Sequence, residues 1–277
     1  TYTSETWVNA TTNTEVAALR EAMEGASVVS NQFDISTSVY SQSFDIAAQG
    51  DNPSGIAFNS DGTKMFITEA DGEEVNEYDL STGFDVSTAL YSRTFSVSAQ
   101  DTFPSDIAFN SDGTKMFVLG RAGQDVNEYT LSTGFNISTA TFAQNISVST
   151  QETFPTGLAF NTNGTKMFVI GFTGDDVNEY ALGSGFNIST ASYVRNFSIA
   201  AQETLPEGIT FNTDGTKMFI TGRVGKVHEY TLTTGFDVST ALFVDTLNVT
   251  AQDSEIMSIA FNTDGTKMLL IGALYDN

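Results

Sequence analysis

The sequence predicts an all-β protein: a five-bladed β-propeller of four-stranded blades, preceded by a short N-terminal helical arm. Three periodic signals carry this expectation. Asp/Asn-Gly-Thr-Lys-Met recurs five times, with its lysine at Lys64, Lys115, Lys166, Lys217 and Lys267, at spacings of 51, 51, 51 and 50. Phe33, Phe84, Phe135, Phe186 and Phe236 each precede Asp/Asn-Ile/Val-Ser-Thr in the same register. Glu-Tyr repeats in step, at Tyr78, Tyr129, Tyr180 and Tyr230. Periods near 50 residues belong to propeller-like arrays, whereas helical and leucine-rich solenoids mostly run shorter.

One repeat reads as four short strands. Gly55-Ile-Ala-Phe-Asn59 is an apolar run after Pro53 that stops at Ser60-Asp61-Gly62. Asp-Gly between apolar segments signals a hairpin, because glycine reaches positive φ without steric cost. Thr63 to Thr68 alternates and is rich in β-formers. A loop of glycine and acids leads to Val75–Leu80, and after Ser-Thr-Gly-Phe the segment Leu90–Val97 closes the unit. Four antiparallel strands repeated radially make a propeller blade, and a ring removes the exposed edges that a linear array would leave.

Residues 24 to 277 make up four repeats of 51 and one of 50. The chain ends where a fifth third-strand would begin, while 24–29 and Val39 to Ile46 match the third and fourth strands. The expectation is therefore a closing blade shared by both termini. The runner-up is a piece of a six- or seven-bladed parent. Residues 1–23 fall outside the repeat. Thr12-Asn-Thr-Glu15 has capping-box spacing, and Val16, Leu19 and Met23 form an apolar stripe. A helix of about ten residues is too short to stand alone in water, so it has to dock. Trp7 and the stripe are the candidate assembly anchor.

With 11 Lys+Arg against 34 Asp+Glu, the formal charge of −23 argues against a nucleic-acid partner, since phosphate binding needs a basic surface. No apolar run reaches the ~18–20 residues of a membrane span. The absence of cysteine excludes disulfides, thiolate catalysis and zinc–sulfur sites. The chain opens on Thr1 with no charged-then-apolar leader, which reads as synthesis without a signal peptide.

The phrases Phe-Asp-Val-Ser-Thr-Ala, Asp-Gly-Thr-Lys-Met-Phe-Val and Asp-Asp-Val-Asn-Glu-Tyr resemble lactonase-type and NHL-type propeller repeats. They are more similar still to the repetitive propeller proteins of marine phages and marine bacteria. The resemblance covers 24–277. It implies a virion setting, with an extracellular or cell-surface location as the alternative. It says little about chemistry, because propellers host many unrelated activities. The chain departs from the lactonase type in blade number and in the near-identity of its repeats.

The recurring charges have two readings. Lys64, Lys115, Lys166 and Lys217 stand where cross-strand pairing with Glu77, Glu128, Glu179 and Glu229 is expected. The loops before each first strand carry Asp51, Asp101, Glu152, Glu203 and Asp253, a candidate loop binding face. A hard cation such as calcium would suit such oxygen ligands, but no segment matches a calcium-loop motif; the expectation is no cofactor, with these acids read first as solvated charge that keeps the protein soluble. His228 replaces the asparagine of Asn-Glu-Tyr beside Arg223 and Lys226; as a lone histidine in a strand it reads as a packing residue. No nucleophile elbow or phosphate loop appears. The combined expectation is a non-enzymatic structural or adhesion propeller, capsid- or tail-associated. It joins virion or assembly proteins through residues 1–23, as part of an oligomer, and faces host surface glycans. The alternative is a carbohydrate-binding or carbohydrate-cleaving propeller at a cell surface.

Overall fold

The computed structural model describes residues 32–50 and 52–272. The chain divides into Thr1–Gln32, of which only Gln32 is described, and Phe33–Asn277, which holds every element below. Blade one consists of β1 (Pro53–Phe58), β2 (Lys64–Glu69), β3 (Glu74–Leu80) and β4 (Ala89–Ser96). Blade two is β5 (Pro104–Phe109), β6 (Lys115–Gly120), β7 (Asp125–Leu131) and β8 (Ala140–Ser147). Blade three is β9 (Pro155–Phe160), β10 (Lys166–Gly171), β11 (Asp176–Leu182) and β12 (Ala191–Ser198). Blade four is β13 (Pro206–Phe211), β14 (Lys217–Gly222), β15 (Lys226–Leu232) and β16 (Ala241–Asn248). A two-stranded sheet of β17 (Ile256–Phe261) and β18 (Met268–Gly272) follows.

Each blade is an antiparallel meander in chain order. The first strands stand side by side around an axis, β1 against β5, β5 against β9, β9 against β13, β13 against β17, and β17 against β1. The apolar core lies between adjacent sheets. Phe66 and Val75 of blade one, for instance, share a cluster with Ile107, Met116, Val118 and Tyr129 of blade two.

Two expectations are corrected. The protein is a propeller of four four-stranded blades, not five, because the sheet after β16 holds only two strands. Val39 to Ile46, expected as an outer strand, carry no strand, and the third strand expected at 24–29 lies outside the described residues. The helical arm is corrected as well: among the described residues there is no α-helix, only single-turn 3-10 helices, and the helix expected in 1–23 lies outside them. A physical reason is plain for the count. Matching a repeat motif shows homology of position, whereas a strand needs a neighbouring backbone to bond to.

The N-terminal segment nonetheless takes the place that its motif marks. In each blade the Asx-Gly hairpin glycine has positive φ and lies under a phenylalanine from the next connection. A Cβ on Gly62 would come within 2.1 Å of Phe84. Phe84 N–H donates to Gly62 O at 3.0 Å, and Phe33 makes the same bond to Gly265 at 2.8 Å. Beyond it, Phe44 packs edge-on to Tyr78 at 5.8 Å, as Phe95 does to Tyr129.

Candidate functional site

The repeated charges serve the frame. Lys64 pairs with Glu77, and Lys115, Lys166 and Lys217 meet Glu128, Glu179 and Glu229 at 2.7 Å. These glutamates are buried, so each lysine neutralises a carboxylate that would otherwise be costly to hide. The lysines also reach across blades: Lys115, Lys166, Lys217 and Lys267 donate to the carbonyls of Phe186, Phe236, Phe33 and Phe84.

The loop acids turn inward. Asp101 accepts from the amides of Phe103 and Gly123, both at 2.6 Å. Glu152 accepts from Phe154 and Thr173, Glu203 from Thr204 and Leu205, and Asp253 from Glu255. Asp101 and Glu152 thereby tie two loops together, whereas Glu203 and Asp253 accept amides of their own loops. Asp51, Trp7, Val16, Leu19 and Met23 lie outside the described residues. His228 is buried, with Nδ1 2.9 Å from Thr246 Oγ1 and Nε2 3.5 Å from Glu203. The Glu203 carboxyl is opposed by burial, yet it is held below its ordinary range by His228 and the loop amides. Among the described residues no three His, Asp or Glu side chains converge on a cation site, and no helix is long and apolar enough to cross a membrane.

The chemistry collects where repeats differ. The opening motif of the first strands reads Pro53-Ser-Gly55, Pro104-Ser-Asp106, Pro155-Thr-Gly157 and Pro206-Glu207-Gly208. Asp106 thus places a carboxylate where its neighbours have none. Its Oδ1 accepts from Ile107 N at 2.9 Å and Ser258 Oγ at 3.3 Å, and its Oδ2 from Leu158 N at 2.7 Å. It therefore ties β5, β9 and β17 together at the axis. Burial pushes its pKa up to about 8, against the pull of those three donors. Above it lies an axial cavity of about 380 Å³, walled by side chains such as Leu158, Ile209 and Phe211 and lipped by Ser111, Thr162 and Thr213 of the hairpins.

At the opposite ends of the first strands, three blades contribute a ladder of rings and guanidinium groups. Arg121 is sandwiched by Phe103 at 4.4 Å and Phe154 at 4.5 Å. Phe154 stacks on Phe172 at 4.8 Å and 16°, and Arg223 covers Phe172 at 5.3 Å. Glu207 holds both cations, through a hydrogen bond from Arg223 Nε and an ion pair with Arg121 at 3.6 Å. Desolvation lowers the Arg121 pKa and raises that of Glu207. Such cation–aromatic contacts are worth about 0.5–2 kcal/mol each.

Sequence reasoning passed over Asp106, Glu207 and the ladder. The signal was present as departures from an otherwise uniform repeat, at the second and third positions of the Pro motif and the first position after each second strand.

No family model matches the chain, and no curated protein does. Solved structures share its architecture. A crystal structure described as a "putative 6-phosphogluconolactonase" from Bacteroides uniformis ATCC 8492 superposes with TM-score 0.50 at 14% identity, over 79% of this chain and 64% of that one. Another so described, from Bacteroides fragilis NCTC 9343, gives TM-score 0.50 at 13% identity, over 79% and 57%. This chain thus spans less than two thirds of either neighbour, and the likeness is one of β-propeller fold.

Proposed function

We propose that this protein is a non-enzymatic structural and adhesion propeller. It is a virion component that joins its particle through residues 1–23, as part of an oligomer, and turns its ring toward host surface glycans. The observation that carries this reading is the outer rim. Tyr40, Tyr91, Phe142, Tyr193 and Phe243 occupy equivalent repeat positions and are 41–60% exposed. Leu90, Val194, Leu242 and Val244 are exposed beside them. A recurring belt of exposed aromatic and aliphatic groups suits contact with other macromolecules. The near-uniform blades support the same reading, since Lys–Glu pairs, Tyr–Gln bonds and glycine–phenylalanine caps recur from blade to blade.

Electron microscopy of native particles labelled with an antibody to the ring tests it. Label on the particle, lost when residues 1–23 are deleted while the ring still folds, is the expected result. Undiminished incorporation of the truncated chain overturns the arm's role. Turnover of a lactone or glycan above the uncatalysed rate, abolished by Asp106→Gly, overturns the non-enzymatic reading.

A further inference from the structure

We infer that the outer edge of β18 is a docking site for an extended segment of a partner protein that carries a Glu-Tyr pair and adds as an antiparallel strand. This goes beyond the function proposed above and needs no virion setting.

In blades one to four the second strand has a strand on each side. β18 is bonded to β17 alone, so among the described residues its other edge has no strand beside it. Its apolar groups mark the gap. The methionine and the two residues after it are at most 3% exposed in β2, β6, β10 and β14, whereas Met268, Leu269 and Leu270 are half-buried. A bare strand edge is a template for another backbone. Strand addition draws affinity from main-chain bonds and specificity from alternate side chains. Beyond the gap Gln42 bonds Asp85 at 2.8 Å, in the place of the fourth-strand Arg93, which bonds Asn136 at 2.9 Å. In the complete blades a single strand fills that interval.

The side chains around the gap define what the added strand carries. Lys64, Lys115, Lys166 and Lys217 each pair with a third-strand glutamate. Lys267 is exposed, and among the described residues it donates to Phe84 O at 3.0 Å but has no such pair. It acts on Asp85 at longer range, as Lys166 acts on Asp237 and Lys217 on Asp34, so Asp85 does not replace the glutamate. The tyrosine after each glutamate donates to Gln49, Gln100, Gln151 or Gln202 at 3.2–3.4 Å. Gln252, the next in that register, is exposed and bonds no tyrosine among the described residues.

Register gives the order. Tyr180 stands opposite Met167, Glu179 opposite Phe168 and Val177 opposite Ile170. A strand on β18 then sets an aromatic residue opposite Met268, an acid opposite Leu269 and a β-branched residue opposite Ile271. By repeat register, residues 24–29 of this chain offer Ala26 and Ser27 at the glutamate and tyrosine places, which would leave Lys267 and Gln252 unmatched. The four Val-x-Glu-Tyr-x-Leu stretches of a second copy are each paired on both sides within a blade, so none can be lent without opening a sheet. A free segment of a partner supplies both groups.

Fluorescence anisotropy of the full chain with a labelled peptide, Thr-Gly-Asp-Asp-Val-Asn-Glu-Tyr-Ala-Leu, tests the inference, with amide hydrogen exchange as the readout of place. The peptide should saturate at one per chain and slow exchange of the outward-facing amides of β18. Replacing its glutamate by glutamine should weaken binding about tenfold, and so should Lys267→Met with the original peptide. The two changes together should cost little more than either alone. Replacing the tyrosine by serine should also cost about tenfold. No binding, equal binding of a scrambled peptide, or unaltered affinity in Lys267→Met overturns the inference. Protection of those outward-facing amides in the free chain overturns it too. If independent of concentration, that protection gives the edge to residues 24–29, and if it rises with concentration, to a second copy.

Discussion

The amide of Phe33 donates to the carbonyl of Gly265 at 2.8 Å, joining the first described segment to the last hairpin. The Phe33 ring lies 5.1 Å from that of Phe261 and over the glycine. Phe33→Ala removes a half-buried ring from this junction and should cost about 2–4 kcal/mol in denaturant unfolding. Phe33→Leu, which keeps most of the apolar volume, should cost clearly less.

Asp106 gives the fold a defined pH dependence. Its carboxyl titrates near 8 in the folded chain, against an ordinary value of 3.8. The folded state therefore holds the proton more tightly than the unfolded state. The stability linked to it is complete below about pH 4, falls as pH rises, and is gone above about pH 8. The slope is at most about 1.4 kcal/mol per pH unit. Asp106→Gly, which restores the residue found in three other repeats, should flatten stability between pH 5 and pH 8. Guanidinium unfolding at the two pH values reads the difference.

Gly113 has φ +70, and a Cβ there would meet Phe135 at 2.2 Å. Gly113→Ala should cost more than about 1 kcal/mol, because strain and collision act together. At Gly183 the nearest atom to an added Cβ is 3.4 Å away, so Gly183→Ala should be close to neutral. Paired thermal melts distinguish the two positions.

Lys166 donates to Glu179 at 2.7 Å and to Phe236 O at 2.6 Å, and Glu179 is buried. Lys166→Met removes the nearer of the two cations beside a hidden carboxylate, leaving Arg195 Nε at 3.7 Å, and should cost up to about 3 kcal/mol. Adding Glu179→Leu should recover most of that loss, and a double-mutant cycle measures the coupling.

The frame was largely readable because each of its devices recurs. A hairpin glycine, a capping phenylalanine and a lysine–glutamate pair seen five or four times in one register can hardly be accidental. The blade count was not readable from the same evidence, since a motif such as Val39 to Ile46 marks a place in the circle without guaranteeing a ladder. The ladder and Asp106 escaped for the opposite reason. Phe103, Arg121, Phe154, Phe172 and Arg223 come from three repeats, and only the packing of blade on blade lays them side by side. Asp106 is one letter in a Pro-x-Gly motif, and its meaning depends on Leu158 and Ser258 arriving from other blades.

The lysine bonds that cross between blades run one way round. Blade two grips blade three, three grips four, four grips Phe33, and Lys267 beside β18 grips blade one at Phe84. Between blades one and two the Ile137 amide donates to Glu77, and Arg93 donates to Asn136 and Ser138. Load applied at any point of such a hoop passes to every clasp in turn. A barrel bound this way holds its shape under shear until one stave gives, and then the whole opens at once.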